Sequence, residues 1–197
     1  MSPHHPFRSE RLEYRAYHPD KHVDFIEQVH TEPFAYINAS ASLHRPVGKR
    51  FVEDVVKDLV DKSLLFVIIY RIDNDPDTSE PIGAISLSAA EPEMMHHRCS
   101  NMAIDIVHDQ QGRGYGTEAL NWALEWGFRQ AGLHRIELEY LEWNSRVRPL
   151  YDRCGFTEEG RRRKSVFKDG KWWDEIGMSI LEDEWRARWQ GSAAIRT

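Results

Sequence analysis

Cysteine is scarce in this 197-residue chain: only Cys99 and Cys154 occur, too few and too far apart for a disulfide scaffold or a zinc cluster. Both read as reduced thiols, so a reducing, intracellular and cytoplasmic setting is the expectation. Long apolar runs are missing too. The longest, residues 64–70, falls far short of a membrane span, and the opening Met-Ser-Pro-His-His-Pro has no apolar signal core. A soluble chain with no membrane partner is expected. Positive charge is in deficit, with 26 Lys and Arg against 32 Asp and Glu and a net charge of −6. That balance argues against nucleic acid as a partner and is compatible with a cationic amine. No internal repeat or low-complexity stretch is present. His96, His97 and His134 have no carboxylate or cysteine at metal-ligand spacing, so no metal is expected. At this length one domain suffices, here residues 11–189 between a polar, proline-bearing tail over 1–10 and a C-terminal tail over 190–197.

The hydrophobic pattern alternates between strand and helix periods. Leu12, Tyr14 and Ala16 alternate as a first strand, and Pro19 and Asp20 open a helix carrying Val23, Ile26 and Val29. Residues 31–45 read as a loop. A second helix repeats Phe51, Val55 and Leu59 beside Val52, Val56 and Val60. The buried run 64–70 and the residues 82–88 are strands separated by an acidic turn over 73–77, and a fourth strand covers 102–107. A helix from about Thr117 carries Leu120, Ala123 and Leu124 and stops at Gly132. Ile136, Leu138 and Tyr140 alternate in the next strand, and a short helix from about Ser145 ends at Gly155. Lys-Asp-Gly-Lys at 168–171 has hairpin chemistry and joins two last strands. This order implies an α/β fold with a curved mixed sheet of about seven strands and helices on both faces.

Between the fourth strand and its helix, residues 111–117 read Gln-Gly-Arg-Gly-Tyr-Gly-Thr. Glycine at every second position is either a tight structural turn or an anion cradle, and the helix that follows favours the cradle. Helix N-termini present unpaired N–H groups and a positive dipole end to phosphate. Gly112, Gly114 and Gly116 carry no side chains to block that approach. The dinucleotide fingerprint fails here, because its last glycine falls on Thr117 or Ala119, and a Walker Gly-Lys-Ser/Thr is absent.

Gln-x-x-Gly-x-Gly at Gln111, Gly114 and Gly116 does resemble the acetyl-CoA pyrophosphate loop of the GNAT acetyltransferases. A second signature follows, Asn144-x6-Tyr151-x3-Gly155-Phe156. With Glu158, Glu159, Gly160, Asp169, Gly170, Asp174, Glu184 and Trp185 the pattern is similar to the RimJ/RimL-like branch, and residues 150–160 also resemble bacterial spermidine acetyltransferases. The likeness covers roughly residues 11–189, with its specific motifs between 102 and 185. It implies that amides of Gln111, Gly112, Arg113, Gly114, Tyr115, Gly116 and Thr117 hold the pyrophosphate of acetyl-CoA, the co-substrate. Ile106 and Val107 would line pantetheine and acetyl through their backbone, and Asn144 would touch the pantetheine arm. Tyr151 would protonate the departing thiolate, for which a phenol with a pKa near ~10 is suited. Taken without the motif, Tyr151 is a half-buried anchor of a short helix and Asn144 a helix cap before Ser145.

The acceptor must attack as a neutral amine. A polyamine nitrogen with a pKa near ~10.4 loses its proton at a cost of about 4 to 5 kcal/mol at neutral pH, an α-amine near ~8 at only about 1 kcal/mol. Many relatives place a glutamate at the start of the fourth strand, where this chain has Ser100 and Asn101. Asp105 on the same strand and Glu139 on the neighbouring one are the candidate bases, directly or through water, though each reads more readily as an ordinary strand carboxylate. Val147 replaces a small residue common in relatives. Arg161, Arg162, Arg163 and Lys164 read as a solvated strand or as a partner for the CoA ribose phosphate or an acidic acceptor. Trp122 and Trp126 read as helix packing. The expected reaction is acetyl transfer to a primary amine by direct attack, on a protein N-terminus or a small-molecule α-amine. Alternatives are a polyamine acceptor and a non-catalytic CoA-binding sensor or interaction module. A homodimer is admitted.

Overall fold

The structure is a computed structural model that describes residues 5–32, 38, 40–43, 45–46, 48–72 and 79–194. Seven strands form one mixed sheet: β1 (Leu12–Ala16), β2 (Ser63–Arg71), β3 (Pro81–Ser88), β4 (Cys99–Ile106), β5 (Arg135–Leu141), β6 (Thr157–Lys168) and β7 (Lys171–Leu181). Their order is β1-β2-β3-β4-β5-β7-β6. β4 and β5 run parallel, whereas β1 with β2, β2 with β3, β5 with β7 and β6 with β7 are antiparallel. The helices are α1 (Pro19–Thr31), α2 (Lys49–Asp61), α3 (Tyr115–Glu125), α4 (Arg148–Cys154) and α5 (Glu182–Ala194). The chain divides into two compact units, Met1–Ala89 with Ala103–Ala123 and Ala90–Met102 with Leu124–Thr197. Each has its own architecture.

In the first unit, helices cover both faces of the β1–β2–β3 sheet. Ile26 of α1 and Val52 and Val56 of α2 pack on Ile68, Tyr70 and Ala84, one face by the two-residue strand period. Tyr14 of β1 pairs with Ile69, on the opposite face, and its ring stacks on Trp122 of α3 at 3.6 Å and 8°. The period of α2 is more selective than its sequence reads. Val52 and Val56 are buried, but Phe51 and Val60 are exposed, because a helix lying on a sheet buries a narrow stripe. Trp122 is packing, as read. Residues 5–10 depart from the unstructured tail expected of them: Tyr14 N–H donates to the Phe7 carbonyl, Ser9 N–H to Leu12, and Trp122 Nε1 to Pro6. Backbone groups of this segment find partners in β1 and α3, which orders a polar stretch that carries no periodic signal. The acidic turn over 73–77 and most of the 31–45 loop lie outside the described residues.

In the second unit, β6 and β7 form a long hairpin whose turn residues Asp169 and Gly170 have φ of 51° and 75°, the mirror-image turn that Asp-Gly favours. Gly132 has φ 69° and ends the helical run after α3, as its sequence position implies. Gly155 (φ 98°) terminates α4. A Cβ there would also approach Arg188 Nε to 2.8 Å, so the position needs glycine twice over. Helix α5 carries no expectation from hydrophobic period, and it runs through residues 190–194 that read as tail. Three acidic residues, Glu182, Asp183 and Glu184, occupy its first turn, and the Leu181 N–H donates to Glu184 Oε2 at 2.9 Å. That is half a capping box, with Trp185 buried against Phe128 at 5.4 Å.

Candidate cofactor site

The glycine-rich loop leaves β4 and enters α3 within the first unit. Gly112 has φ 74° and Gly114 φ 85°, conformations open to glycine at little cost and strained for other residues. Helix α3 starts where Glu118 N–H donates to the Gly114 carbonyl at 3.1 Å. Gly114 is therefore the residue before the first turn, and the amides of Gly114, Tyr115, Gly116 and Thr117 precede any helical partner. Gly112, Arg113 and Gly114 are exposed, whereas the Tyr115 ring is buried. Left-handed glycines beside unpartnered amides at a helix N-terminus are the kind of backbone arrangement that suits an anion. The chain before it is pinned as well: Gln111 Nε2 donates to the Ile106 carbonyl at 2.8 Å, and Val107 N–H to Ile82 at 2.9 Å. Gln111 thus fixes loop to strand through its side chain, in addition to the backbone part assigned to it.

A second set of residues, invisible to motif reading, holds the loop from the chain's beginning. Arg11 Nη1 donates to the Arg113 carbonyl at 3.0 Å and Arg11 Nε to Glu118 Oε2 at 2.8 Å. The Arg11 backbone N–H and the Ser9 hydroxyl both donate to Glu118 Oε1, each at 2.6 Å. Its guanidinium lies 4.8 Å from the Tyr115 ring centroid. Ser9 also meets the Tyr14 hydroxyl at 3.0 Å, and burial, helped by the Glu118 charge, raises the Tyr14 pKa so that this hydroxyl stays protonated. The sequence signal for Glu118 is its place in the first turn of α3; nothing local ties Arg11 to it.

Val107 lines a cleft of about 220 Å³ in the same unit, together with Gln28, Val29, Glu32, His108 and Asp109. Asp105 and Ile106 lie just before it on β4 and are half-buried. Among the described residues, the Gln110 side-chain oxygen is a buried polar atom without a hydrogen-bond partner.

The remaining candidates belong to the second unit. Tyr151 sits on α4, buried, with its ring 6.0 Å from those of Tyr140 and Phe156. Pro149 falls in the first turn of that helix, where its missing N–H costs nothing. Asn144 lies in the 3-10 segment Glu142–Val147 with non-helical φ −93° and ψ 38°, and its Oδ1 accepts from Arg146 Nε at 3.1 Å. The N-cap positions of this segment and of α4 are Leu141 and Val147, and neither carries a side-chain cap. Glu139 is exposed and accepts from Asn101 Nδ2 at 2.8 Å, so Asn101 hydrogen-bonds the carboxylate on the neighbouring strand. Two members of the basic cluster are engaged in surface pairing: Arg161 meets Glu158 and Asp174, and Arg162 meets Glu175 at 2.9 Å. Arg135 binds Glu137 and Glu159, and its guanidinium holds the Glu159 carboxyl down at about 2. Burial pushes the Cys154 thiol up to about 11. Among the described residues, no group of three His, Cys, Asp or Glu is placed to hold a metal, and no helix is long and apolar enough to cross a membrane.

Residues 11–157 match the acetyltransferase (GNAT) domain family, and the chain belongs to that family. It is 34% identical over 92 residues to a spermidine N(1)-acetyltransferase of Vibrio cholerae, covering 47% of this chain and 53% of that one. It is 31% identical over 111 residues to the [ribosomal protein uS5]-alanine N-acetyltransferase of Escherichia coli, 56% of each chain. The chain thus spans about half the length of the curated relatives it matches. Its fold is similar to the crystal structure of spermidine N-acetyltransferase from Vibrio cholerae in complex with CoA and spermine, with a TM-score of 0.75 and 22% identity over 90% of this chain and 99% of that one.

Proposed function

We propose that the chain is an acetyl-CoA-dependent N-acetyltransferase, with residues 11–189 as its catalytic domain, acting on a primary amine of a protein N-terminus or a small-molecule α-amine. The observation that carries the reading is the pair of left-handed glycines, Gly112 and Gly114, opening α3 beneath exposed backbone. Acetyl-CoA supplies the acetyl group as a thioester. The amides of residues 111–117 hold its diphosphate, with Ile106 and Val107 lining the arm through their backbone. The unpartnered Gln110 oxygen suits an amide N–H of that arm. Asn144 contributes to the same arm, and Tyr151 donates its phenolic proton to the leaving thiolate. Asp105 or Glu139 takes the amine proton through water, and backbone N–H groups at the end of β4 steady the oxyanion.

Two relatives point to two acceptor classes: one is named for spermidine, the other for a ribosomal-protein alanine. Ser100 and Asn101 at the start of β4, in place of the usual carboxylate, favour the α-amine, whose proton is lost at small cost. Against this, Glu32 and Asp109 put two carboxylates on the walls of the 220 Å³ cleft, which favours a polycationic amine as the second reading. Thiol release from acetyl-CoA, measured over peptides, amino acids and polyamines beside calorimetric CoA binding, decides. Release with α-amine peptides is the expected result. Turnover of polyamines alone reverses the acceptor, and CoA binding without release on any amine supports a non-catalytic module. Light scattering tests the homodimer.

A further inference from the structure

We propose that Arg11 is a positioning residue for the diphosphate loop, acting by cancelling the charge of Glu118 and clamping the Arg113 carbonyl. The inference rests on the reading of residues 111–117 as the cofactor loop. A carboxylate in the first turn of a helix stabilises that helix. The same carboxylate opposes a diphosphate arriving at the same N-terminus, because charges of one sign meet within a few ångströms. Glu118 is such a residue, with a side chain only 13% exposed and so poorly screened by water.

Arg11 removes the conflict. Its Nε meets Glu118 Oε2 at 2.8 Å, and its backbone N–H and Ser9 add two more donors to the other oxygen. These donors, from Ser9 and Arg11, all come from the segment that precedes β1. The Nη1 of Arg11 reaches past it to the carbonyl of Arg113, between the two left-handed glycines. Holding that carbonyl back on the Arg11 side turns the neighbouring amides the other way, toward the anion. The guanidinium also closes the space beside Gly114, where a Cβ would stand 3.2 Å from Nη2. Only a planar fork serves carbonyl and carboxylate together; a lysine ammonium holds one of them well.

The test compares Arg11→Gln, Arg11→Lys, Glu118→Gln and the Arg11→Gln/Glu118→Gln double variant, with CoA binding read by calorimetry and folding by thermal melting. Transfer from S-acetylpantetheine, a donor with the same arm and no diphosphate, is measured alongside transfer from acetyl-CoA. Arg11→Gln is expected to weaken CoA roughly tenfold or more, the value of one charged hydrogen-bonded contact, while kcat/KM with S-acetylpantetheine stays within about twofold. Arg11→Lys is expected to fall between. The double variant is expected to regain the part of the affinity lost to the uncompensated charge, while the part that the Arg113 clamp supplies stays lost. Equal losses with both donors, unchanged CoA binding in Arg11→Gln, or a double variant no better than Arg11→Gln each overturn the inference. If Arg11→Gln melts below the assay temperature, Arg11→Lys and Glu118→Gln carry the comparison. Wild-type protein that fails to bind CoA overturns the loop reading itself, a separate outcome.

Discussion

Gly83 of β3 is where a single methyl group tests the link between sheet and site. A Cβ at this position overlaps the Asp105 carbonyl oxygen and lies 2.8 Å from Ile106 Cδ1. The obstacle is strand backbone, which a rotamer change does not relieve. Restoring ordinary contact requires β4 to move away by about 1 Å at Asp105, since nonbonded heavy atoms settle near 3.5 to 4 Å. Gly83→Ala is therefore expected to cost about 1 to 3 kcal/mol of stability, the range for an overpacked core. It also shifts the strand end that leads to Val107 and Gln111. A displacement of that size at a reacting geometry lowers rate by up to about a hundredfold, so kcat/KM is expected to fall more than melting temperature alone explains. The assays are urea unfolding and thiol release, with Gly160→Ala as the comparison because nothing lies within 4 Å of its Cβ. Gly83→Ala with wild-type midpoint and wild-type turnover refutes the reasoning.

Tyr151→Phe is expected to lower kcat by roughly 10² to 10⁴, the usual worth of a general acid, with CoA affinity nearly unchanged. Wild-type turnover in that variant removes Tyr151 from the chemistry. Gly114→Glu should abolish calorimetric CoA binding, because a left-handed position acquires a side chain and the cradle acquires an anion; retained affinity sinks the loop assignment. His22 governs a pH effect. It is buried, its Nδ1 accepts from the His18 N–H at 2.8 Å, and its Nε2 meets the Tyr70 hydroxyl at 2.8 Å. Burial first, then the neighbouring His18, Lys21 and Arg15, lowers its pKa. The unfolded chain takes up this proton at about pH 6.5, before the folded one does, so stability is full above that value and is lost as pH falls toward the native pKa, by at most about 1.4 kcal/mol per unit. Thermal melts from pH 7.5 to 5.5 should show a shallower slope for His22→Gln than for wild type, and identical slopes discard the linkage.

Much of this molecule is readable from local pattern. Residues 64–70 form a strand because bulky apolar side chains are continuous there, and the Lys-Asp-Gly-Lys turn specifies its hairpin through two positive φ angles. The glycine loop is legible for the same reason, since its chemistry is backbone conformation. What is not legible depends on partners far along the chain. Arg11 reads as one more surface charge until Glu118 is beside it, and residues 5–10 read as tail until Trp122 donates to Pro6. Helix α5 has a polar, non-periodic sequence and reveals itself only in the acidic first turn and in Trp185. The pantetheine role of Asn144 rests on resemblance, and the base roles of Asp105 and Glu139 rest on their strand positions alone.

The contact between Arg11 and Glu118 spans 107 residues, and that separation has a kinetic meaning. Closing so large a loop carries an entropy cost that local helix or hairpin formation does not. Helix α3 can gain its turns in nanoseconds to microseconds once its residues are free to do so, yet the clamp on its first turn waits until Arg11 and Glu118 are brought together. During synthesis from the N-terminus, Arg11 emerges long before the loop it serves, with no carboxylate to meet. On the proposed reading, the cofactor loop is completed late, as a property of the closed chain, although the amides assigned to it lie within seven consecutive residues, 111–117.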